Sequence, residues 1–292
     1  MYFSDRWNDF ELIDTGAGEK LERWGGVVVT RPEPAAIWPH GAWPPVDAAY
    51  HRSGTGGGHW DVHKPLPTPW HIAYTLQDGP ELVFSLDNMG FKHTGVFPEQ
   101  AANWDFLFKQ AARVSANTPA PRFLNLFAYT GGATLALAAG AAQAEIVHVD
   151  AAKGMLARAK DNQRLSRLDR VTVRYLADDA VKFVKREIRR GRHYDGIVLD
   201  PPTYGRGPTG EMWRIEEQLF DLLADLARLL PAAGPAFAVL NTYSGLTPSN
   251  VETCLRQAFA GMAGNAATDE LGLIGTKRKI ALSLGVTTRW TR

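Results

Sequence analysis

From Pro121 to the C-terminus the chain alternates short β-rich runs with amphipathic helical stretches, and that pattern restricts its fold more than any other feature. The runs at residues 123–127, 146–150, 171–176, 196–200 and 236–241 are β-rich and mostly apolar, as suits strands of a sheet covered on both faces. A helix expected over residues 211–230 puts Ile215, Leu219, Leu222, Leu226 and Leu229 on one stripe, the spacing of a face that packs onto a sheet. After a further helix near 248–260, residues 270–274 and 280–288 read as two strands joined by 275–279, a closing antiparallel hairpin that an all-parallel dehydrogenase sheet lacks. Residues 119–292 are expected to form one doubly wound α/β domain with a mostly parallel sheet.

The first part of the chain differs in character. Seven of the nine Trp precede residue 105, and eight of the 18 Pro fall between Pro32 and Pro69. Ile72, Tyr74 and Leu76 alternate, the chain turns at Asp78 and Gly79, and the alternation resumes at Leu82, Phe84 and Leu86, which is hairpin chemistry. Residues 1–110 are read as a smaller β-rich domain with long loops. Within it the Gly-rich run 53–58 lacks the GxGxxG spacing of a phosphate loop, and His59 and His63 have no cysteine or carboxylate pair to complete a metal site. A flexible loop and no metal are expected.

With 32 basic and 31 acidic side chains the net charge is +1, which neither steers the chain toward nucleic acid nor excludes it. The single cysteine excludes an intramolecular disulfide, no apolar run reaches membrane-spanning length, and the N-terminus lacks a signal core, so a cytoplasmic protein without membrane partners is expected.

In a doubly wound sheet ligands gather at the carboxyl ends of the strands. The first strand runs into Asn125, Phe127, Tyr129, Thr130, Gly131 and Gly132, where the glycines let backbone approach a ligand and free N–H groups suit a carboxylate. Asp150 ends the second strand 19 residues after Gly131, where a carboxylate can accept both hydroxyls of a ribose. One glycine pair without GxGxxG favours S-adenosylmethionine over NAD. Asp178 and Asp179 end the third strand; one is suited to accept the adenine amino group and the other to cap the next helix, or both only cap. The fourth ends in Asp200, Pro201, Pro202, Thr203 and Tyr204, a stiff turn of acceptors with an aromatic able to stack on a flipped base.

Together with the stretch Lys92-His-Thr-Gly-Val-Phe-Pro-Glu-Gln100, these motifs resemble those of class I methyltransferases, and among them the bacterial 23S ribosomal RNA large-subunit methyltransferases of the I and K type, from about Phe91 to the end. The resemblance implies a Rossmann-like methyltransferase domain that takes S-adenosylmethionine as cofactor and ribosomal RNA as partner. It implies that Phe127, Tyr129 and Gly131 line the methionine, Asp150 holds the ribose and Asp179 lies by the adenine. Asp200–Tyr204 would face the acceptor, and the segment around Phe97 and Gln100 would close over the cofactor.

Members that make 5-methylcytosine need a cysteine after the fifth strand, where this chain has Asn241-Thr-Tyr-Ser-Gly245. Cys254 shares helical spacing with Val251, Leu255, Ala258 and Phe259 and is expected in the core. Cysteine-dependent carbon methylation is therefore disfavoured, and Asp-Pro-Pro-Thr followed by an aromatic is similar to members acting on a guanine nitrogen. Basic residues at Lys182, Lys185, Arg186, Arg189, Arg190 and Arg192, and at Lys160, Arg164, Arg167 and Arg170, offer phosphate contacts or simply form solvated helix faces. A protein or small-molecule methyltransferase, a cofactor-binding protein without catalysis, and an NAD-dependent oxidoreductase are the competing readings.

Overall fold

The computed structural model describes residues 1–292 except 55–56, 88–91, 208–209 and 244. Part of the 53–58 run, the Phe91 at which the resemblance starts and Ser244 of the 241–245 turn lie outside the described residues. The chain forms two compact units. One comprises Met1–Thr75, Pro80–Ala102 and Leu271–Leu284, the other Leu76–Gly79, Asn103–Glu270 and Gly285–Arg292.

In the first unit, β1 (Tyr2–Phe3) is followed by β2 (Phe10–Gly16), β3 (Glu19–Trp24), β4 (Val27–Pro32), β5 (Ala48–Arg52) and β6 (Gly58–Val62). The last five form one sheet in sequence order, antiparallel except for the parallel pair β4–β5. Only part of this was expected, because the buried side of β3 and β4 carries charge. Glu22 is fully buried, with Arg31 Nε 2.6 Å and Lys20 Nζ 3.5 Å from its oxygens. Burial pushes the Glu22 carboxyl up, and Arg31 and Lys20 overcome this and hold it at about 2. The expected hairpin is present as β7 (His71–Thr75) and β8 (Glu81–Ser85), with Ile72, Tyr74, Leu82 and Phe84 buried.

The second unit begins in α1 (Ala101–Ser115), whose Trp104, Leu107, Ala111 and Val114 repeat every three or four residues and are buried. There follow β9 (Arg122–Leu126), α2 (Gly132–Gly140), β10 (Glu145–Asp150), α3 (Lys153–Leu165), β11 (Thr172–Ala177), α4 (Ala180–Arg189) and β12 (Gly196–Leu199). Next come β13 (Tyr204–Arg206), β14 (Met212–Arg214), α5 (Ile215–Ala227), β15 (Phe237–Thr242), α6 (Pro248–Ala258), β16 (Asn265–Ile274) and β17 (Ala281–Thr291). Strands β15, β12, β9, β10 and β11 are parallel neighbours in that order, with β17 antiparallel to β15 and β16 beside β17. Each of the five expected parallel strands is found within a residue or two of its expected span. The second unit thus carries a Rossmann-like, mostly parallel sheet with a closing antiparallel strand, and the chain also has a smaller β-rich region.

One helix boundary differs from the sequence reading, and the division into units cuts across two elements. The helix expected from residue 211 starts at Ile215, because Met212–Arg214 pairs with Tyr204–Arg206 as a ribbon. Residues 103–110 belong to the second unit, in α1, since Trp104 packs against Gly132. Residues 271–284 belong to the first, where Tyr2 and Phe3 pair with Leu271 and Gly272 and Arg278 Nε donates to Asp14 Oδ1 at 2.6 Å.

Candidate active site

Strand order reverses at β9, whose neighbours β10 and β12 lead to opposite halves of the sheet, and the crevice at such a reversal is where ligands bind. The residues leaving β9 form a tight, strained loop. Phe127 (φ 54°) and Tyr129 (φ 48°) adopt left-handed conformations, each costing about 1–2 kcal/mol for a residue with a Cβ. The surroundings hold them there: Ala128 N donates to Val149 O (3.1 Å), Tyr129 N to Asp150 Oδ2 (2.8 Å), and buried Asn162 Nδ2 to Thr130 O (2.9 Å). Gly131, at φ 92°, is the N-cap of α2 and offers no capping side chain, so the first turn of α2 opens on this end of the sheet.

Asn125 does not turn toward that opening. Its amide donates to Thr134 Oγ1 (2.9 Å), which in turn meets His148 Nδ1 (2.9 Å), so Asn125, Thr134 and His148 form a buried polar chain beneath the loop. Burial pulls the His148 imidazole down to about 3, so the ring is neutral at physiological pH. Asn162, Thr134 and His148 all support the loop, and none was singled out from sequence.

Asp150, at the end of β10, lies beside the loop. Its oxygens accept from Tyr129 N and Ala152 N, both at 2.8 Å, and the remaining lone pairs are available to hydroxyl donors. Burial raises this carboxyl above the usual carboxylate range, and the two N–H bonds oppose the rise. The next strand brings Asp178 N to within 3.2 Å of Asp150 O. Asp179 Oδ1 accepts from Lys182 N (2.8 Å) and caps α4, while Asp178 pairs with Arg186. The second Asp179 oxygen faces the β13–β14 connection, where a Cβ on Gly207 would lie 2.9 Å away.

On the other side of β9, Asp200 follows β12. Its amide donates to Leu126 O (3.3 Å), and its Oδ2 accepts from Tyr243 OH (3.2 Å), which comes off β15. Tyr243 lies in the turn that lacks a cysteine, and its pairing with Asp200, 43 residues away, has no local signature in the sequence. Pro202 O accepts from Trp213 Nε1 (2.6 Å), and the buried Trp213 ring lies 5.2 Å from Phe127, so the ribbon is anchored to both strand-end segments. Tyr204 stands half exposed on the ribbon, its OH 3.4 Å from Met212 Sδ.

The structure therefore brings Phe127, Tyr129, Thr130, Gly131, Gly132, Asp150, Asp178, Asp179, Asp200, Pro201, Pro202 and Tyr204 to the same end of one sheet in the second unit. Phe97 and Gln100 belong to the first unit, at a single 3-10 turn, Pro98–Gln100, tied down by Trp7 Nε1 to Pro98 O (3.0 Å) and Ser4 Oγ to Glu99 O (2.6 Å). Cys254, on α6, is half buried and packs against the core, where burial raises its thiol.

A family model for S-adenosylmethionine-dependent methyltransferases matches residues 50–253. Curated relatives include ribosomal RNA large subunit methyltransferase I of Aeromonas salmonicida, 34% identical over 137 residues, which are 47% of this chain and 32% of that protein. Another is methyltransferase K/L of Chromohalobacter salexigens, 38% identical over 112 residues, 38% of this chain and 14% of that protein. The chain thus matches only a third or less of these relatives' lengths. A crystal structure of a SAM-dependent methyltransferase from Agrobacterium tumefaciens is 34% identical, with a TM-score of 0.85 over 97% of this chain and 90% of that one. A methyltransferase structure from Streptococcus mutans, 17% identical with a TM-score of 0.73 over 98% of this chain and 76% of that one, shares the fold. With a family match running through both sides of the strand reversal, and a solved relative similar over nearly its whole length, the chain belongs to the S-adenosylmethionine-dependent methyltransferase family.

Proposed function

We propose that this chain transfers the methyl group of S-adenosylmethionine to a base of large-subunit ribosomal RNA, at a nitrogen acceptor rather than through a cysteine adduct. The observation that carries this reading is the placement of two segments on adjacent strands: the uncapped glycine loop after β9 and the Asp-Pro-Pro-Thr-Tyr turn after β12. The donor set fits the cofactor. Backbone N–H groups at the start of α2 suit its carboxylate, Phe127, Tyr129, Thr130 and Gly131 line its methionine, and Asp150 keeps acceptor capacity for ribose hydroxyls. Asp178 or Asp179 lies where β11 ends, toward the adenine, and Phe97 and Gln100 are assigned to closing over the cofactor. No phosphate-cradling GxGxxG is present to favour a dinucleotide.

When bound, S-adenosylmethionine supplies an electrophilic methyl on a sulfonium. The chain's part is alignment. Asp200, held by Tyr243, and the carbonyls of the Pro201–Pro202 turn accept from the acceptor's amino N–H and aim its nitrogen, and the proton that the nitrogen sheds on methylation passes to the Asp200 carboxylate or to water. Trp213 fixes that turn through Pro202 O, and Tyr204 stacks on the base. Orientation of this kind can lower a barrier by about 7–11 kcal/mol without a strong general base. The curated relatives' names, and the absence of a cysteine at residues 241–245, favour RNA and nitrogen over the alternatives. We further assign residues 119–292 as the catalytic part, the β-rich part as accessory, and the reducing cytoplasm as the location. Among the described residues no helix is long and apolar enough to cross a membrane, and no group of three side chains is placed to hold a metal ion.

The test is incorporation of labelled methyl into protein-free RNA from unmodified large subunits, with nucleoside analysis of the product. Label in a guanine that disappears in Asp200→Ala, while S-adenosylhomocysteine still binds, is the expected result. Label appearing only in RNA-free extract would replace RNA by another acceptor.

A further inference from the structure

We propose that the outer face of the β13–β14 ribbon is a contact surface for single-stranded RNA, which leads the strand carrying the acceptor base into the site; this rests on the RNA reading above. The two strands pair Tyr204 with Arg214, Gly205 with Trp213, and Arg206 with Met212. Directly opposed residues share a face and neighbours along a strand alternate, so Tyr204, Arg206, Met212 and Arg214 lie on one side and Gly205 and Trp213 on the other. Burial follows that division. Trp213 is 5% exposed, whereas Tyr204 and Met212 are 50% and 41% exposed and both arginines are exposed.

An exposed tyrosine and methionine on a two-stranded ribbon require an explanation that packing does not give. The inward face already anchors the ribbon through Trp213, to Pro202 O and against Phe127. The outward face combines an aromatic platform with two guanidinium groups, the pairing that single-stranded nucleic acid uses: bases stack on the ring while phosphates meet the cations. Arg206 makes no ion pair among the described residues. The Arg214 guanidinium meets Glu217 at 3.2 Å between two exposed side chains, a contact weak enough for a phosphate to displace. The acidic neighbour Glu211 is occupied by Lys182, the first lysine of basic helix α4. The ribbon continues directly from Asp200-Pro-Pro-Thr, so an RNA strand lying along this face is delivered to the proposed acceptor site.

The experiment measures binding of a short, labelled, mixed-sequence single-stranded RNA across a salt series. The variants are Arg206→Gln/Arg214→Gln, Tyr204→Phe and Tyr204→Ala, with S-adenosylhomocysteine affinity of each as a check on folding. The double variant is expected to bind RNA roughly tenfold or more weakly, with the slope of log K against log salt reduced by about 1.4, while cofactor affinity is unchanged. Tyr204→Phe keeps RNA affinity, and Tyr204→Ala loses about fivefold or more with the salt slope intact. A double variant with wild-type RNA affinity and slope overturns the ribbon's role while leaving the RNA reading standing. A wild-type protein that neither binds nor methylates RNA overturns both.

Discussion

Gly132 opens α2 with its Cα turned toward the indole of Trp104. A methyl placed there would lie 2.6, 2.7 and 2.9 Å from three ring atoms, against ordinary contacts of 3.4–4 Å, so Gly132→Ala requires the ring to retreat by about 0.8 Å. Trp104 is 4% exposed and belongs to the face of α1 that also buries Leu107 and Ala111, which leaves no solvent side to move into. Overpacking of this kind costs about 1–3 kcal/mol, and each kcal/mol lowers Tm by about 2–4 °C in a chain approaching this size. Because the displaced segment carries the first N–H groups of α2, S-adenosylhomocysteine should bind about fivefold or more weakly as well. Thermal unfolding and calorimetric titration measure both effects. In a Trp104→Leu background the same Gly132→Ala change should cost less than about 0.5 kcal/mol, a coupling that only direct contact produces. Gly154, in the first turn of α3 with nothing within 4 Å of its would-be Cβ, provides the control: Gly154→Ala should stabilise by about 0.4–1 kcal/mol. Wild-type stability and cofactor affinity in Gly132→Ala would refute the packing argument.

Three further outcomes are expected. Tyr243→Phe removes the hydroxyl that holds Asp200, so methyl transfer should slow by about tenfold with S-adenosylhomocysteine affinity unchanged; an equal fall in cofactor affinity would assign Tyr243 to the cofactor instead. Asp179→Asn preserves the cap on α4 and should leave stability within about 0.5 kcal/mol of wild type, whereas Asp179→Ala should lose about 0.5–2 kcal/mol; a drop in cofactor affinity in the Asn variant marks an adenine contact, and none leaves only the cap. His148 titrates at about 3 in the fold against an ordinary 6.5, so the unfolded chain takes up a proton below pH 6.5 that the folded chain does not. Its contribution is full above pH 6.5 and is lost by about 1.4 kcal/mol per pH unit as pH falls toward 3, a slope that denaturant titrations should show to be missing from His148→Gln.

Parallel strands such as Ile197–Leu199 and Phe237–Leu240 were legible because burial on both faces leaves an apolar run. The β7–β8 hairpin was legible from strict alternation around Asp78 and Gly79. The sheet β2–β6 was not, since Lys20, Glu22 and Arg31 occupy buried positions that a hydrophobic pattern assigns to the surface. Helix α1 had its period in Trp104, Leu107, Ala111 and Val114, but the Trp-rich composition before it drew residues 103–110 into the first domain. The ribbon's three-residue strands are too short for any periodicity, and Met212–Arg214 runs without a break into the apolar stripe of α5. At the site, glycines and carboxylates at strand ends stood out because nothing in a buried strand calls for them. Thr134, His148, Asn162 and Tyr243 did not, because their partners are distant in sequence and buried polar pairs have no local signature.

The most direct measurement of the central claim is a crystal structure of this chain with S-adenosylhomocysteine. Expected are the cofactor carboxylate at the N–H groups opening α2, ribose hydroxyls on Asp150, and the sulfur facing Asp200-Pro-Pro. A cofactor whose sulfur points away from Asp200, or whose ribose lies clear of Asp150, would contradict it.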